Sequence, residues 1–344
     1  MRRIFLAVIL MLSVLSCMEK MPAGSSAQLE VMVITQPALQ TRASYAVSMP
    51  YESRVTSVQV LVFDEDGILE AYSDLGTDRS GSLNVGLGKK EVWAVVNAED
   101  VSSVTSVEEL SALTVDLSSN DFSKGFVMSG NSHCSVDASG GSICTVEVER
   151  LLSRVSLTRI SNSLPSSYGD MTVMDVFLCN VAGSGSLAGN AEPSIWYNKE
   201  GRSDESPRNE DSVIGIGGHL ASCAPLTYVH VGSPVRNGGS LQPALPFLLY
   251  AFPNASENEP DGYHGSFVPQ RTVLAVSVMV EDAMYYYPVS IEGFMSERNT
   301  AYSVSLTIAG PGTDDPNLPV RKTDLEIIAD VNRWTDGASY TEYF

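Results

Sequence analysis

The chain has 344 residues, a formal net charge of −20 and a sequence pI near 4.5. With 21 Lys and Arg against 41 Asp and Glu, it lacks the cation clusters that contact with a nucleic-acid backbone requires. At 44% apolar and 18% charged residues it can bury a substantial core, which excludes a disordered chain, and its length favours about two domains.

The first element is the apolar run Ile4 to Leu15, behind Arg2 and Arg3 and ahead of Ser16 and Cys17. A basic start, a short apolar stretch and a small residue before the cut make a secretory signal; ~12 apolar residues fall short of the ~20 that span a bilayer as a helix. The step into Cys17 resembles the lipobox of bacterial lipoproteins, with Val14 in place and Leu15 bulkier than usual. Residues 1–16 are therefore expected to be a lipoprotein signal peptide and Cys17 the lipidated residue, with a plain secretory signal as the alternative. Either way the protein leaves the cytoplasm, and its expected location is the outer membrane and cell surface.

Beyond the signal, short runs rich in β-branched residues alternate with Gly, Asp, Asn, Ser and Pro, the pattern of an all-β chain. Strands are predicted over residues 29–35, 55–64, 90–97, 142–149, 154–160, 173–180, 272–281, 284–291, 301–308 and 324–334. In the first, Leu29, Val31 and Val33 face one way and Met32 and Ile34 the other. Ser106 with Glu109 reads as a capping box for one short helix, whose buried face would use Val107, Leu110, Leu113 and Leu117. The boundary between two tandem sandwiches is placed near Arg150. Residues 183–190, 198–212 and 252–265 are polar, Gly-rich or Pro-punctuated, and read as exposed loops.

Five cysteines are present: Cys17, Cys134, Cys144, Cys179 and Cys223. Cys134 and Cys144 lie symmetrically about Ser139 beside the Gly140-Gly141 turn, so they are a candidate disulfide; two reduced or differently paired thiols are the alternative. His133, His219, His230 and His264 have no zinc-site spacing. Residues 64–67, Asp-Glu-Asp-Gly, open like a calcium loop but lack its later ligands, and read as a turn with Gly67 at positive φ. The glycine-rich stretches 183–189 and 215–219 do not sit between a strand and a helix, as a phosphate cradle would, and no carboxylate pair stands out among the 41 acids. No enzyme, cofactor or metal is expected.

Several segments in order carry a family likeness: VLVFDEDG, VWAVVNAED with the short helix after it, FVMSG, RLLSRVSL, RNTAYSVSLTIAGPG with the GPGTDDPNLP loop, and the closing Trp334. In these the chain resembles the fimbrillins, the FimA-like type V pilins exported as lipoproteins by certain Gram-negative bacteria. The resemblance implies two tandem β-sandwiches of transthyretin-like type, over residues 43–150 and 151–334, after a propeptide over 17–42. It implies that an Arg-specific protease cuts between Arg42 and Ala43, discarding Cys17 and the removable strand with Leu29, Val31 and Val33; Arg54, which would leave Val55 as the start, is a second candidate cut. The opened groove would take a strand from another copy, and the candidate donor is the tail 335–344, with Ala338, Tyr340 and Phe344 on one face and Glu342 breaking the apolar rhythm. Partners implied are further copies, related fimbrial subunits, the processing protease and surface ligands of a host or another bacterium, with a membrane touched only through the precursor's lipid. The alternatives are an anchor or tip subunit, or a monomeric surface lipoprotein that binds glycan or host protein. Asp211-Ser212-Val213 also resembles an O-glycosylation acceptor of such bacteria, with Ser212 as the acceptor.

Overall fold

The computed structural model describes residues 26–35, 49–189, 191–200, 213–214, 225–256, 258, 269–289, 293–314, 316, 320–321, 323–333 and 340–343. In its first half, strands β1 (Ser26–Thr35), β2 (Val58–Phe63), β3 (Leu69–Gly76), β4 (Ser80–Gly86) and β5 (Gly88–Val96) precede a helix, α1 (Val107–Ala112). Strands β6 (Thr114–Asp116), β7 (Met128–Val136) and β8 (Ser142–Arg150) follow. All but β6 join one seven-stranded order, β3-β2-β5-β7-β8-β1-β4. That order folds over on itself, because β7 and β8 are laddered only at Met128–Arg150 and Ser129–Glu149 and then part. At the parting, a Cβ on Gly130 would stand 1.9 Å from the carbonyl oxygen of Glu147, so only glycine fits the crossing.

The result is two facing layers, β3-β2-β5-β7 and β8-β1-β4, over a shared core of Val58, Val60, Val62, Val92, Ala94 and Val96 on one side and Leu29, Val31, Val33, Val146 and Val148 on the other. The alternate residues of β2 and β5, Leu61, Phe63, Trp93 and Val95, belong to a second core that continues into the later half of the chain. Strand β2 is therefore buried on both faces, which accounts for its unbroken apolar run.

The second half contributes β9 (Ser153–Asn162), β10 (Met171–Cys179), the short β11 (Val181–Ala182), β12 (Ser184–Ser186), β13 (Trp196–Tyr197), β14 (Lys199–Glu200) and β15 (Val213–Ile214), then β16 (Tyr228–Val235), β17 (Ser240–Leu241) and β18 (Phe247–Ala251). Strands β19 (Val273–Val280), β20 (Ala283–Val289), β21 (Thr300–Ile308), β22 (Leu325–Arg333) and β23 (Tyr340–Tyr343) complete it. One sheet runs β16-β10-β19-β20, and the other runs β17-β9-β21-β22-β23 with β18 also on β9. In β21 the residues Tyr302, Val304, Leu306 and Ile308 all point into the core. The all-β expectation holds.

Each predicted strand is found with ends shifted by a few residues, while β3, β4, β7, β16 and β18 are additional. All of these but the apolar β18 are half-exposed or glycine- and serine-rich, stabilised by their neighbours more than by their own residues. The helix is capped as expected at one end, Ser106 Oγ accepting from the Glu109 amide at 3.2 Å. The return arm differs: the Glu109 carboxylate takes the amide and hydroxyl of Thr105, both at 2.8 Å, rather than the amide of Ser106. Leu110 alone of its residues is fully buried. The Asp64–Gly67 stretch is a turn, with Asp64 Oδ1 accepting from Asp66 and Ile68 and Gly67 at φ +75.

Candidate functional site

The residues at issue centre on β1. Its alternation is complete: Leu29 and Val31 are wholly buried and Val33 nearly so, while Met32 and Ile34 are 43% and 40% exposed. It lies inside its layer rather than at the rim, antiparallel to β4 over Ser26–Met32 and parallel to β8 over Leu29–Thr35. Taking β1 away uncovers the inward faces of β2 and β5 and leaves two strand edges, β4 and β8, with unanswered backbone groups. Between those edges a strand presenting an apolar residue at every second position would find a ladder on each side.

One end of this slot is polar. Lys90 points inward from β5 with 5% exposure, and its Nζ meets Glu70 Oε2 at 2.5 Å, so the buried charge is paired. Beside it, Cys134 pairs in register with Lys90 on β5, and Cys144 pairs with Val31 on β1. Both are free thiols, and Cys134 packs against the buried cluster that contains Cys144. Burial first, and then the contact with Cys144, push the Cys134 thiol up to about 12, against the pull of Lys90. The turn between their strands carries Gly140 and Gly141 at φ +77 and +75.

At the other end of the sandwich, a 3-10 turn over Pro50–Ser53 buries Glu52 completely. Its carboxylate accepts from Arg154 Nη1 at 3.0 Å on both oxygens, from the Tyr250 hydroxyl at 2.7 Å and from the Met49 amide at 3.1 Å. Arg150 Nε donates to the Glu52 carbonyl oxygen at 2.6 Å and its Nη1 to Asn299 Oδ1 at 3.3 Å. Burial lowers the Arg150 guanidinium to about 10, and burial together with the Glu52 charge raises the Tyr250 phenol. Residues from both halves of the chain thus close around one carboxylate. No sequence motif marks Glu52, Arg154 or Tyr250, and Arg150 stands out only as a boundary; the one local signal is two arginines bracketing Leu151 and Leu152 in an otherwise apolar joint.

Arg54, the second candidate cut, is exposed but tied down. Its Nη1 donates to the carbonyls of Phe122 at 3.1 Å and Ser123 at 2.5 Å. Asn97, at φ +59, donates to the Arg54 carbonyl at 2.7 Å and accepts from the amides of Thr56 at 2.8 Å and Ser57 at 3.4 Å, so the bonds on either side of Val55 are pinned to the sheet. Cys17, Arg42, Ala43, Ser212, Ala338 and Phe344 lie outside the described residues. The tail backbone forms β23, antiparallel to β22 from Tyr340 opposite Val331 to Tyr343 opposite Ile328, at the rim of its sheet. His133 is exposed on β7, and His230 Nδ1 meets Asp175 Oδ1 at 2.9 Å on the far side of the second half. Among the described residues no group of three or more His, Cys, Asp or Glu is arranged to hold a metal ion.

Residues 27–149 match the family model described as major fimbrial subunit protein (FimA). No curated protein matches the chain. Among solved structures, a "putative cell adhesion protein" from Parabacteroides distasonis ATCC 8503 aligns over 91% of this chain and 99% of its own, with 17% identity and a TM-score of 0.61. The fimbrilin (FimA) of Porphyromonas gingivalis W83 aligns over 90% and 98%, with 16% identity and a TM-score of 0.59. The tip fimbrial protein Mfa3 of Porphyromonas gingivalis aligns over 90% and 100%, with 14% identity and a TM-score of 0.52. At these identities the structural likeness speaks for the fold, and the family model matches residues 27–149 of the chain.

Proposed function

We propose, from the premise that this chain is a fimbrillin-family protein, that it is a shaft-type subunit which polymerises by exchanging β1 for a strand of its neighbour. The family is a structural one of cell-surface fimbriae, so the chain is a fimbrial protein that associates with other fimbrial subunits and is no enzyme. The finer reading runs as follows. Export as a precursor lipidated on Cys17 carries the folded subunit to the cell surface. Proteolysis after Arg42 then detaches residues 17–42, β1 among them, and the 43–150 sandwich is left with an open slot. The tail of another copy, with Ala338, Tyr340 and Phe344 inward, fills the slot, and the head-to-tail contact repeats into an adhesive filament.

The observation that carries this reading is the placement of β1. A strand that is internal to its layer, buries Leu29, Val31 and Val33, and precedes all the other described strands in sequence is the one piece whose loss creates a two-edged apolar slot. Apolar surface is worth ~25 cal/mol per Å² when covered again, and both orphaned ladders gain partners at the same moment. The tail gains by the exchange as well: in its own molecule β23 has one neighbour, β22, over a four-residue register, whereas the slot offers β4 and β8 together.

Cleavage after Arg42 is favoured over Arg54 on geometry. A protease needs an extended, free segment, and the Asn97 bonds hold the chain on both sides of Val55. A cut there would also remove Glu52 from Arg154 and Tyr250. N-terminal sequencing of the mature surface protein is expected to begin at Ala43, and Arg42→Ala is expected to accumulate lipidated, unassembled precursor. Normal fibres from that variant overturn the assignment.

A further inference from the structure

The Cys134–Cys144 pair has a place in the slot that the reading above does not use. From Asn131 to Val136, β7 is laddered to β5, and from Ser142 to Val148, β8 is laddered to β1. Between β7 and β8 themselves, the ladder is confined to Met128–Arg150 and Ser129–Glu149. Once β1 leaves, the length of β8 that walls the slot has no ladder at all, and it is held at one end by that two-pair seam and at the other by the Gly140-Gly141 turn. The two cysteines belong to one packed cluster within this unsupported stretch, one from each strand. Cys144 is 2% exposed, turned into the core from the layer that contains Val31, while Cys134 is half-buried.

We propose that Cys134 and Cys144 are oxidised to a disulfide in the exported protein, and that this bond staples β8 to β7 so that the acceptor slot keeps its shape when β1 is removed. Thiols packed in one cluster on strands joined by a short turn are placed to meet, and a protein outside the cytoplasm meets the oxidising conditions under which such bonds persist. The oxidant is the disulfide of a thiol–disulfide oxidoreductase. A thiolate of the pair attacks that disulfide and forms a mixed disulfide, and the second thiolate displaces the enzyme. Two protons and two electrons leave the pair, and the oxidoreductase departs as a dithiol. The high affinity of Cys134 for its proton makes the uncatalysed reaction slow, which is why a catalyst of this class is named. The bond itself stands apart from the assembly reading; its role as a staple rests on that reading.

The chain contains no Lys or Arg between Lys124 and Arg150, so trypsin releases both cysteines on one peptide, free of Cys17, Cys179 and Cys223. Full-length protein from the cell envelope, alkylated under denaturing conditions without reductant, is expected to give this peptide unalkylated and lighter by two hydrogens. A doubly alkylated peptide overturns the disulfide. Protease-triggered polymerisation of the full-length precursor is then followed with and without prior reduction, beside a Cys134→Ser, Cys144→Ser double variant. Reduction is expected to slow the wild type several-fold, and the double variant to be equally slow and indifferent to reductant. Unchanged rates with a proven disulfide overturn the staple, whereas an oxidised wild type that forms no polymer at all overturns strand exchange and leaves the peptide mass to decide the bond.

Discussion

Replacing Glu52 by Gln should destabilise the subunit more than any surface change, because its carboxylate is paired with Arg154 inside the protein. Its two oxygens accept four hydrogen bonds from three donor groups, those of Arg154, Tyr250 and Met49, and Glu52 itself is fully buried. The amide keeps the shape but removes the charge, and its NH₂ group turns a donor toward a donor of Arg154. Breaking one side of a buried, hydrogen-bonded ion pair costs about 3–5 kcal/mol, since the remaining cation stays desolvated. In urea, with a slope of ~3 kcal/mol/M for a chain of this size, the unfolding midpoint should fall by roughly 1–1.7 M at unchanged slope. A Glu52→Met, Arg154→Met double variant should recover much of that loss, because it takes both charges out of the apolar interior. The same physics separates the two candidate starts: both lack β1, and protein beginning at Val55, which has also lost Glu52, should unfold at a lower midpoint than protein beginning at Ala43. A midpoint change for Glu52→Gln equivalent to less than ~1 kcal/mol would refute the reasoning, because a solvated or redundant carboxylate is what loses so little.

Within β1 of the uncleaved chain, Leu29→Ala should cost about 2–5 kcal/mol and Met32→Ala within ~0.5 kcal/mol in the same urea titration; equal losses would mean that the strand does not face the core as described. Deleting Thr335–Phe344 should leave the near-ultraviolet circular dichroism of both halves intact while abolishing protease-triggered chain growth, and unaffected growth would place the donor elsewhere. Stability should also fall at alkaline pH through the buried tyrosines. Burial raises Tyr302 to about 12 from 10.0, so its contribution is complete below the unfolded pKa and is lost as pH climbs from 10 through 12. Two units correspond to ~3 kcal/mol. Tyr302→Phe should flatten this fall between about pH 9 and 11.5, and equal slopes would refute it.

What was legible in the sequence follows from where each strand's stabilisation originates. Strands such as β2, β19 and β21 carry their own apolar alternation or full burial, and their positions could be read from residue type. Strands β3, β4 and β7 hold few apolar residues and are stabilised by ladders to β2, β1 and β5, which no local pattern reports. The inward and outward faces of β1 were legible because a period of two admits one assignment once Leu29, Val31 and Val33 are buried. The polar cluster was not. Glu52, Arg150, Arg154 and Tyr250 are distant in sequence, and a lone carboxylate before a strand looks solvated until the chain closes over it. That Cys134 and Cys144 lie near each other was half legible: the symmetric turn brings them level, but the parting of β7 and β8 at Gly130 leaves no local signal. It follows from a carbonyl oxygen that only a glycine can tolerate so close.

That parting bears on how a subunit can lose an internal strand and remain folded. The core roofed by β1 draws only on residues up to Val148, and its floor is the inward face of β2 and β5. The opposite face of the same two strands is locked into the larger core, where Leu61, Phe63, Trp93 and Val95 pack with Phe126 and with residues of the second half. Removal of β1 therefore strips one side of strands whose other side is still buried. A one-sided sheet, packed on a single core, would have lost its register along with its cover. The Glu52 cluster adds to this, because it fixes the segment that follows the proposed cut against Arg150 and Arg154, at the joint between the two halves. The burden of strand loss then falls on β8 and β4 alone. Of these β8 is the one with a neighbouring thiol on β7, which is where the proposed staple would act.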